Sequence, residues 1–430
     1  MAEPINARYA GDAARIAAIA LFGLAILWPI ICVTLHGYTL TGVFEESVGY
    51  RYFYSLRKLY DPPTYLFTAQ GQSIDIIQAL IQIALTWLGY PTTQVQPRID
   101  HFCYASMIVF QLLNLGAFAW MIWRVESLAA IVIAPLFWLV PFYEPHLSGM
   151  YTLLQPDYMT LECAFALVAA GSILRTRQSS KLEGRQVAFF GVFVGVAAST
   201  KITFLVFPAA ALAFAVLQER AVRIIVVKLC QVSVIAFLCG LLIVFADTEW
   251  HIRYVSRGAK DLLSFIAAGS GDIVKQNYSW PVWFVRQIYQ SPLYLALVYA
   301  TPVFTLIALL ISRTRKQIVL SVPLLLIAIG SNYFLYKRDY PNTLIEAAFF
   351  FQLAFFVLVP LILLPRLLKN VARVALLLEM PIAALLCMFI VSWYSIGVGA
   401  VVTCIKQNTE EQKGLAAVQK RTAGNHIWLV

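Results

Sequence analysis

The sequence predicts an all-α fold, a polytopic transmembrane helical bundle, and three observations carry that reading. Hydrophobic residues make up 60% of the 430-residue chain and charged residues only 13%, against roughly 45–50% and 25% in soluble domains. The apolar residues gather into runs of about 17–25 residues, long enough to cross a bilayer. Lys and Arg then collect in alternate short connections between those runs, the asymmetry that fixes orientation in a membrane.

Taken in order, the hydropathy accommodates about eleven spans, over 16–35, 102–123, 127–143, 158–174, 187–200, 203–217, 223–245, 292–311, 318–336, 344–364 and 374–404. Arg8 and Arg15 precede the first run. At about 20 residues that run exceeds a signal-peptide core, and no small-residue cleavage pattern follows, so it reads as an uncleaved span. With the N-terminus cytoplasmic, the inner connections hold Arg124; Arg175, Arg177, Lys181 and Arg185; Arg220, Arg223 and Lys228; Arg313, Arg315 and Lys316; and Arg366, Lys369 and Arg373. Only Glu126, Glu183 and Glu219 oppose them, as the positive-inside rule requires. The organisation is then a transmembrane domain over 1–404 and a short outer C-terminal tail over 405–430. That tail is polar and ends on the apolar Ile427-Trp428-Leu429-Val430, which suits docking on the membrane.

Two outer loops are large, 36–101 and 246–291. Within the first, Ile74, Ile77, Leu80, Ile81, Leu85 and Leu88 line one side of a helical period, and Asp75, Gln78 and Gln82 the other. This pattern suits an interfacial helix in the first outer loop rather than a span. A span there would invert every later loop. The second carries Trp250, Trp280 and Trp283, rings that favour the headgroup level.

The formal charge of +10 has its explanation in the inner loops. No basic, aromatic-interleaved soluble surface exists to bind nucleic acid, so none is expected as a partner. The seven cysteines show no CxxC or Cys/His spacing, and most fall inside apolar runs, where Cys acts as a small hydrophobe.

The residues that could carry chemistry cluster at the outer face. Glu45 and Glu46 lie about ten residues past the first span, within reach of both water and headgroups. Like charges this close in a partly dry site disfavour double ionisation, and a carboxylate so poised can take a proton from a sugar hydroxyl. The competing reading is an ordinary solvated loop. After the third span come Glu144, His146 and Asp157. Their oxygen and nitrogen donors could line an acceptor site or hold a divalent cation, although Asp157 also stands where an acid caps a helix. Lys201, in Ser199-Thr200-Lys201, joins two apolar runs with no room for a loop. A lipid phosphate would partner it; snorkelling to the interface is the alternative. Lys337 and Arg338, in Tyr336-Lys337-Arg338-Asp339-Tyr340-Pro341, put two cations on the outer side against the prevailing trend. Arg suits bidentate phosphate recognition and Lys supplies a point charge; pairing with Asp339 is the bland alternative. Glu162 is an acid near the outer end of its span, with no role assigned by sequence.

In order and sidedness these pieces resemble the GT-C superfamily of integral-membrane glycosyltransferases. Phe44-Glu45-Glu46-Ser47-Val48-Gly49-Tyr50 resembles the family's acidic first outer loop, and Gln155-Pro156-Asp157, running to Arg175-Thr176-Arg177, its next membrane hairpin. The Gly-rich run from Gly191 through Gly195 to Lys201-Ile202-Thr203, then Phe207-Pro208, is similar to the Gly-rich helix and Thr-Lys…Pro stretch of bacterial members. Arg338-Asp339-Tyr340-Pro341 is similar to a late Arg-Tyr-Pro segment. The resemblance covers most of 10–365. It implies sugar transfer from a polyprenyl-phosphate carrier on the outer face, with Glu46 or Glu45 as base and Lys201 and Arg338 on the donor phosphate. The family more often shows Asp in that loop, so the choice between the two glutamates stays open.

The expected function is thus an inverting, polyprenyl-phosphate-sugar-dependent glycosyltransferase (hexosyl- or pentosyltransferase) of the bacterial inner membrane, acting on an envelope glycan or glycolipid. A lipid-linked glycan transporter or flippase is the first rival, but the mid-span regions are nearly uncharged. An O-antigen polymerase or ligase is the second, with His251, Arg253 and Arg257 in its favour. No nucleotide-binding glycine motif is present.

Overall fold

The computed structural model describes residues 5–35, 71–90, 95–126, 128–143, 158–178, 182–219 and 221–247, together with isolated positions such as Tyr52, Ser55, Leu56, Phe349 and Leu353. Apart from such isolated positions, the expected spans beyond residue 290, both large loops other than 71–90 and 95–101, and the C-terminal tail lie outside the described residues. Among the described residues there is no strand. The helices are α1 (Ile5–Leu35), α2 (Gln72–Trp87), α3 (Val95–Ile122), α4 (Leu128–Tyr143), α5 (Tyr158–Gln178), α6 (Gly184–Thr200), α7 (Val206–Leu217) and α8 (Val222–Asp247), with a 3-10 turn at Ile202–Leu205 between α6 and α7. Three stretches are long and apolar enough to cross a membrane, Gly11–Trp28, Arg98–Ile122 and Val222–Asp247. The chain is a multi-pass helical membrane protein; the count of about eleven spans is not established by these residues.

Contacts fix the relative directions of α1, α3 and α5. Phe22 of α1 stacks on Phe118 of α3 at 4.2 Å between ring centroids, and Arg15 Nη2 donates to Val125 O at 3.0 Å, so α1 and α3 run antiparallel. Asn114 Nδ2 donates to Thr160 O at 2.8 Å, while Gly171 further along α5 lies under Trp120. Hence α3 and α5 run parallel. Phe142 of α4 packs on Phe349 at 5.3 Å, tying a later segment to this bundle.

Helices α6 and α7 form a hairpin. Seventeen residues of α6 rise about 25 Å. The four-residue 3-10 turn and twelve-residue α7 bring the chain back by about 26 Å. The open end closes where Glu219 Oε1 accepts from Leu182 N at 2.9 Å and from Lys228 Nζ at 2.6 Å. Lys201 stands at the tip.

Helix α8 leans on α6 through glycine. A Cβ on Gly191 would lie 2.5 Å from Ile235, and one on Gly195 2.8 Å from Ala236 O and from Cys239 Cβ. Small residues four apart let two backbones approach closely, the usual device where lipid gives helices no hydrophobic reason to associate. The rest of α8 is open, with Val226, Val234, Phe237 and Leu242 exposed. Gly195→Ala is expected to lower stability by roughly 1–3 kcal/mol, because the nearest atoms are backbone and Cβ atoms that cannot rotate away. Thermal unfolding in detergent measures it, with Gly240→Ala, which meets nothing within 4 Å, as the control expected to be mild.

Candidate active site

At the tip of the α6–α7 hairpin the backbone leaves the helix. Lys201 has φ −161° and ψ 133°, extended geometry, while its N–H still closes the last turn on Ala197 O at 3.0 Å. Phe204 N then bonds Lys201 O at 2.9 Å to start the 3-10 turn. Ser199 and Thr200 return their hydroxyls to Val196 O at 3.0 and 2.7 Å. Short polar side chains that compete for helix carbonyls are a sequence-level reason for the helix to end here.

Lys201 is only 6% exposed. Snorkelling is therefore not what it does: the ammonium is held inside the protein, with its Nζ 6.0 Å from the Phe204 ring centroid, the outer limit of a cation–π contact. Phe204 in turn meets Phe165 of α5 at 5.0 Å. Phe165 lies three residues after Glu162, on the same side of α5. Glu162 is 0% exposed and interacts electrostatically with Lys201. Neither of its carboxylate oxygens meets a hydrogen-bond donor among the described residues, and Thr203 Oγ1 beside Lys201 is likewise buried without one. Polar Asn114 and Gln111, joined at 3.1 Å, are buried on the neighbouring stretch of α3.

Helix α2 brings the first large loop to this same end. Thr200 Oγ1 has given its proton to Val196 O, so Ser73 donates to it, at 2.6 Å. Gly71 precedes the helix at φ 100°, a left-handed conformation that suits glycine. Its carbonyl accepts from Ile74 N and Asp75 N at 2.9 Å each. Asp75 is buried in that first turn, where the helix dipole favours an acid.

The inward face of α2 differs from a simple apolar-in, polar-out arrangement. Asp75, Gln78 and Gln82 are buried together with Ile74, Ile81 and Leu85, whereas Leu80, Trp87 and Leu88 are exposed, Trp87 at 85%. The polar stripe faces protein because protein supplies its partners. Gln82 Oε1 accepts from Arg98 Nε at 3.0 Å, and Gln82 Nε2 donates to Ser55 Oγ at 3.2 Å. Arg98, fully buried, also donates to Gln82 O and Thr86 Oγ1 at 3.0 Å each, and to Tyr90 O. One guanidinium thus ties the C-terminal end of α2 to α3 and, through Gln82, to residues 52 and 55 of the loop.

The opposite end is basic. Arg15 pairs with Asp12 at 2.7 Å and lies over Trp123. Arg124 lies over Trp120 with its guanidinium 3.7 Å from the ring centroid. Burial, and then the charge of Arg175, lower the basicity of Arg124. Polar tip and basic end are thereby separated along the bundle.

Of the residues selected from sequence, the described structure places Lys201. Glu45, Glu46, Glu144, His146, Asp157, Lys337 and Arg338 lie outside the described residues. Among the described residues no three His, Cys, Asp or Glu side chains come together as ligands for a metal ion. Sequence reasoning did not pair Glu162 with Lys201 and passed over Arg98. A carboxylate inside an apolar helix and an arginine just ahead of a span were the available signals.

No protein-family model and no curated protein matches the chain. Among solved structures, the archaeal oligosaccharyltransferase AglB from Archaeoglobus fulgidus, in complex with an inhibitory peptide and a dolichol-phosphate, is similar at a TM-score of 0.50 and 13% identity, over 94% of this chain and 56% of that one. An apo crystal structure of the Archaeoglobus fulgidus oligosaccharyltransferase is similar at 0.45 and 14% identity, over 90% and 56%. The chain therefore spans a little over half the length of these structures. At 13% identity the likeness to AglB is one of fold.

Proposed function

We propose that this chain is an inverting glycosyltransferase that moves a sugar from a polyprenyl-phosphate carrier to an envelope glycan or glycolipid on the outer face of a bacterial inner membrane. The N-terminus is cytoplasmic and the C-terminus outside in this reading, and the basic end carrying Arg15, Arg124 and Arg175 is the inner one. Helix α2 lies in the outer interface with Leu80, Trp87 and Leu88 toward lipid. The observation that supports it most is Lys201, a buried cation at the tip of a hairpin about 26 Å deep, close to the roughly 30 Å hydrocarbon thickness. Such a tip stands near the depth at which the phosphate of a membrane-embedded carrier resides. Neutralising that phosphate is what a leaving group at this position requires.

Glu46 or Glu45 takes the proton of the acceptor hydroxyl. The acceptor oxygen attacks the anomeric carbon from the face opposite the phosphate. The bond from that carbon to the phosphate oxygen breaks, its electron pair stays on the phosphate, and Lys201, Arg338 and Lys337 hold the charge that develops. Glu144, His146 and Asp157 line the acceptor side; their donor set also fits a divalent cation.

The test is release of free polyprenyl phosphate from a sugar-loaded carrier by purified protein given an envelope acceptor extract. Transfer predicts equal amounts of glycosylated acceptor and free carrier phosphate. A flippase would relocate the loaded carrier without cleaving it, and that outcome would overturn the proposal. Lys201→Met is expected to cut kcat/KM by about 10²-fold, the usual scale for removing one group that stabilises developing charge.

A further inference from the structure

One indole organises the basic end of the bundle. Trp120 of α3 covers Gly171 of α5 and stacks on Phe189 of α6 at 5.9 Å between ring centroids. Phe165, earlier in α5, stacks on Phe193, later in α6, also at 5.9 Å. Helix α6 therefore runs antiparallel to α5, and so to α3. Each of the three helices carries an arginine one turn from its contact with the indole, on the same side. Arg124 stands four residues after Trp120, Arg175 four after Gly171 and Arg185 four before Phe189. The helix directions put all three at the same end.

These arginines are placed by the fold and open to their surroundings. Arg124 Nη1 donates to Trp120 O, and its guanidinium lies over the Trp120 ring. Arg124 is partly exposed; Arg175 and Arg185 are exposed, and neither of those two meets an acceptor among the described residues. Nearby acids are engaged: Glu219 accepts from Leu182 N and Lys228, Asp12 pairs with Arg15 and Glu183 caps α6. Glu126 is exposed two residues past Arg124, but residues 175–185 alone hold four cations against one acid. The balance stays positive, and Arg175 disfavours the charge on Arg124, a repulsion that a bound anion would relieve. Guanidinium forks match phosphate geometry. Trp123, 49% exposed beside this cluster, is a ring that favours headgroup depth. Orientation in the membrane needs only charge near a helix end; it does not need three guanidiniums gathered about one ring.

We propose that Arg124, Arg175 and Arg185 form a headgroup site for an anionic phospholipid, in the leaflet that meets the basic end of the bundle. Basic pockets between membrane helices recognise such headgroups. The site lies at the end opposite Lys201 and is independent of the sugar transfer proposed above.

The experiment is calorimetric binding of dioctanoyl phosphatidylglycerol to the full chain in detergent, with dioctanoyl phosphatidylcholine and inorganic phosphate as comparison probes. Saturable binding of the anionic lipid, about tenfold or more tighter than either comparison probe, is expected. Replacing all three arginines by lysine keeps the charge that orients the helices but removes the forks, and should weaken that binding about tenfold. Should the triple variant unfold early, Arg185→Lys alone, on an exposed side chain, is read instead, with a loss of about threefold. Equal affinity for phosphatidylcholine would show that no headgroup is recognised. Inorganic phosphate bound as tightly as the lipid would make this a free-anion site. Unchanged lipid affinity in a folded lysine variant would reduce the cluster to diffuse charge. Any of these three results overturns the proposal.

Discussion

Replacing Glu45 and Glu46 together by glutamine is expected to reduce sugar transfer by roughly 10²–10⁴-fold, the contribution of a well-placed general base. Glutamine keeps size and polarity but cannot accept a proton at neutral pH, so binding of the donor should survive. That split separates a base from a binding group: KM for the lipid donor changes little while kcat collapses. Each single variant then assigns the role, since the residue that is not the base should cost no more than a few-fold. The measurement is initial-rate transfer with purified protein, alongside geranyl phosphate binding as the control for folding. Full activity in the double variant would remove the proposed base altogether. In that case Asp75, the buried acid that the structure brings to the Lys201 end through Ser73, becomes the first alternative to substitute.

Arg98→Met is expected to destabilise the protein by roughly 3–5 kcal/mol, the scale for removing a buried charge with several committed partners. The methionine fills much of the volume, so the loss reports the hydrogen bonds rather than a cavity. Gln82 Oε1 and Tyr90 O lose the donor seen here, while Gln82 O retains Thr86 Oγ1 at 3.0 Å. Arg98→Lys should recover little, because one ammonium cannot reproduce a planar fork directed at the side chain of Gln82 and at the carbonyls ending α2. Thermal unfolding in detergent tests this. Proteolysis within 36–94 should accelerate in parallel, because Gln82 passes the guanidinium's hold on to Ser55 and Tyr52 O.

Element boundaries were legible where apolar run length alone decides them. The stretches 127–143, 203–217 and 223–245 read from hydropathy differ by only a few residues from the helices and the turn found there. They failed where a helix continues beyond its apolar part. α1 begins at Ile5 rather than 16, with a polar first part in which Asp12 and Arg15 pair. α3 begins at Val95 rather than 102 because Arg98 finds its partners on α2. Hydropathy registers neither cause. For α2 the helix was read correctly but its two sides were not: Asp75, Gln78 and Gln82 share one buried face with Ile74, Ile81 and Leu85, while Leu80 and Leu88 are exposed. Lys201 was legible as a lone cation between apolar runs. Its relation to Glu162 was not, because it depends on Phe165 and Phe204 meeting across two helices far apart in sequence.

The glycine seam between α6 and α8 also bears on how the protein is made. α8 is apolar on nearly every side, so it can partition into lipid as soon as it is synthesised, before it has neighbours. The α6–α7 hairpin cannot do so on equal terms, since Lys201 alone would be a solitary charge in hydrocarbon. The association of α8 then depends on the fit of the seam: with Gly191 and Gly195 leaving room for Ile235, Ala236 and Cys239, α8 can close on α6 after both have entered the membrane.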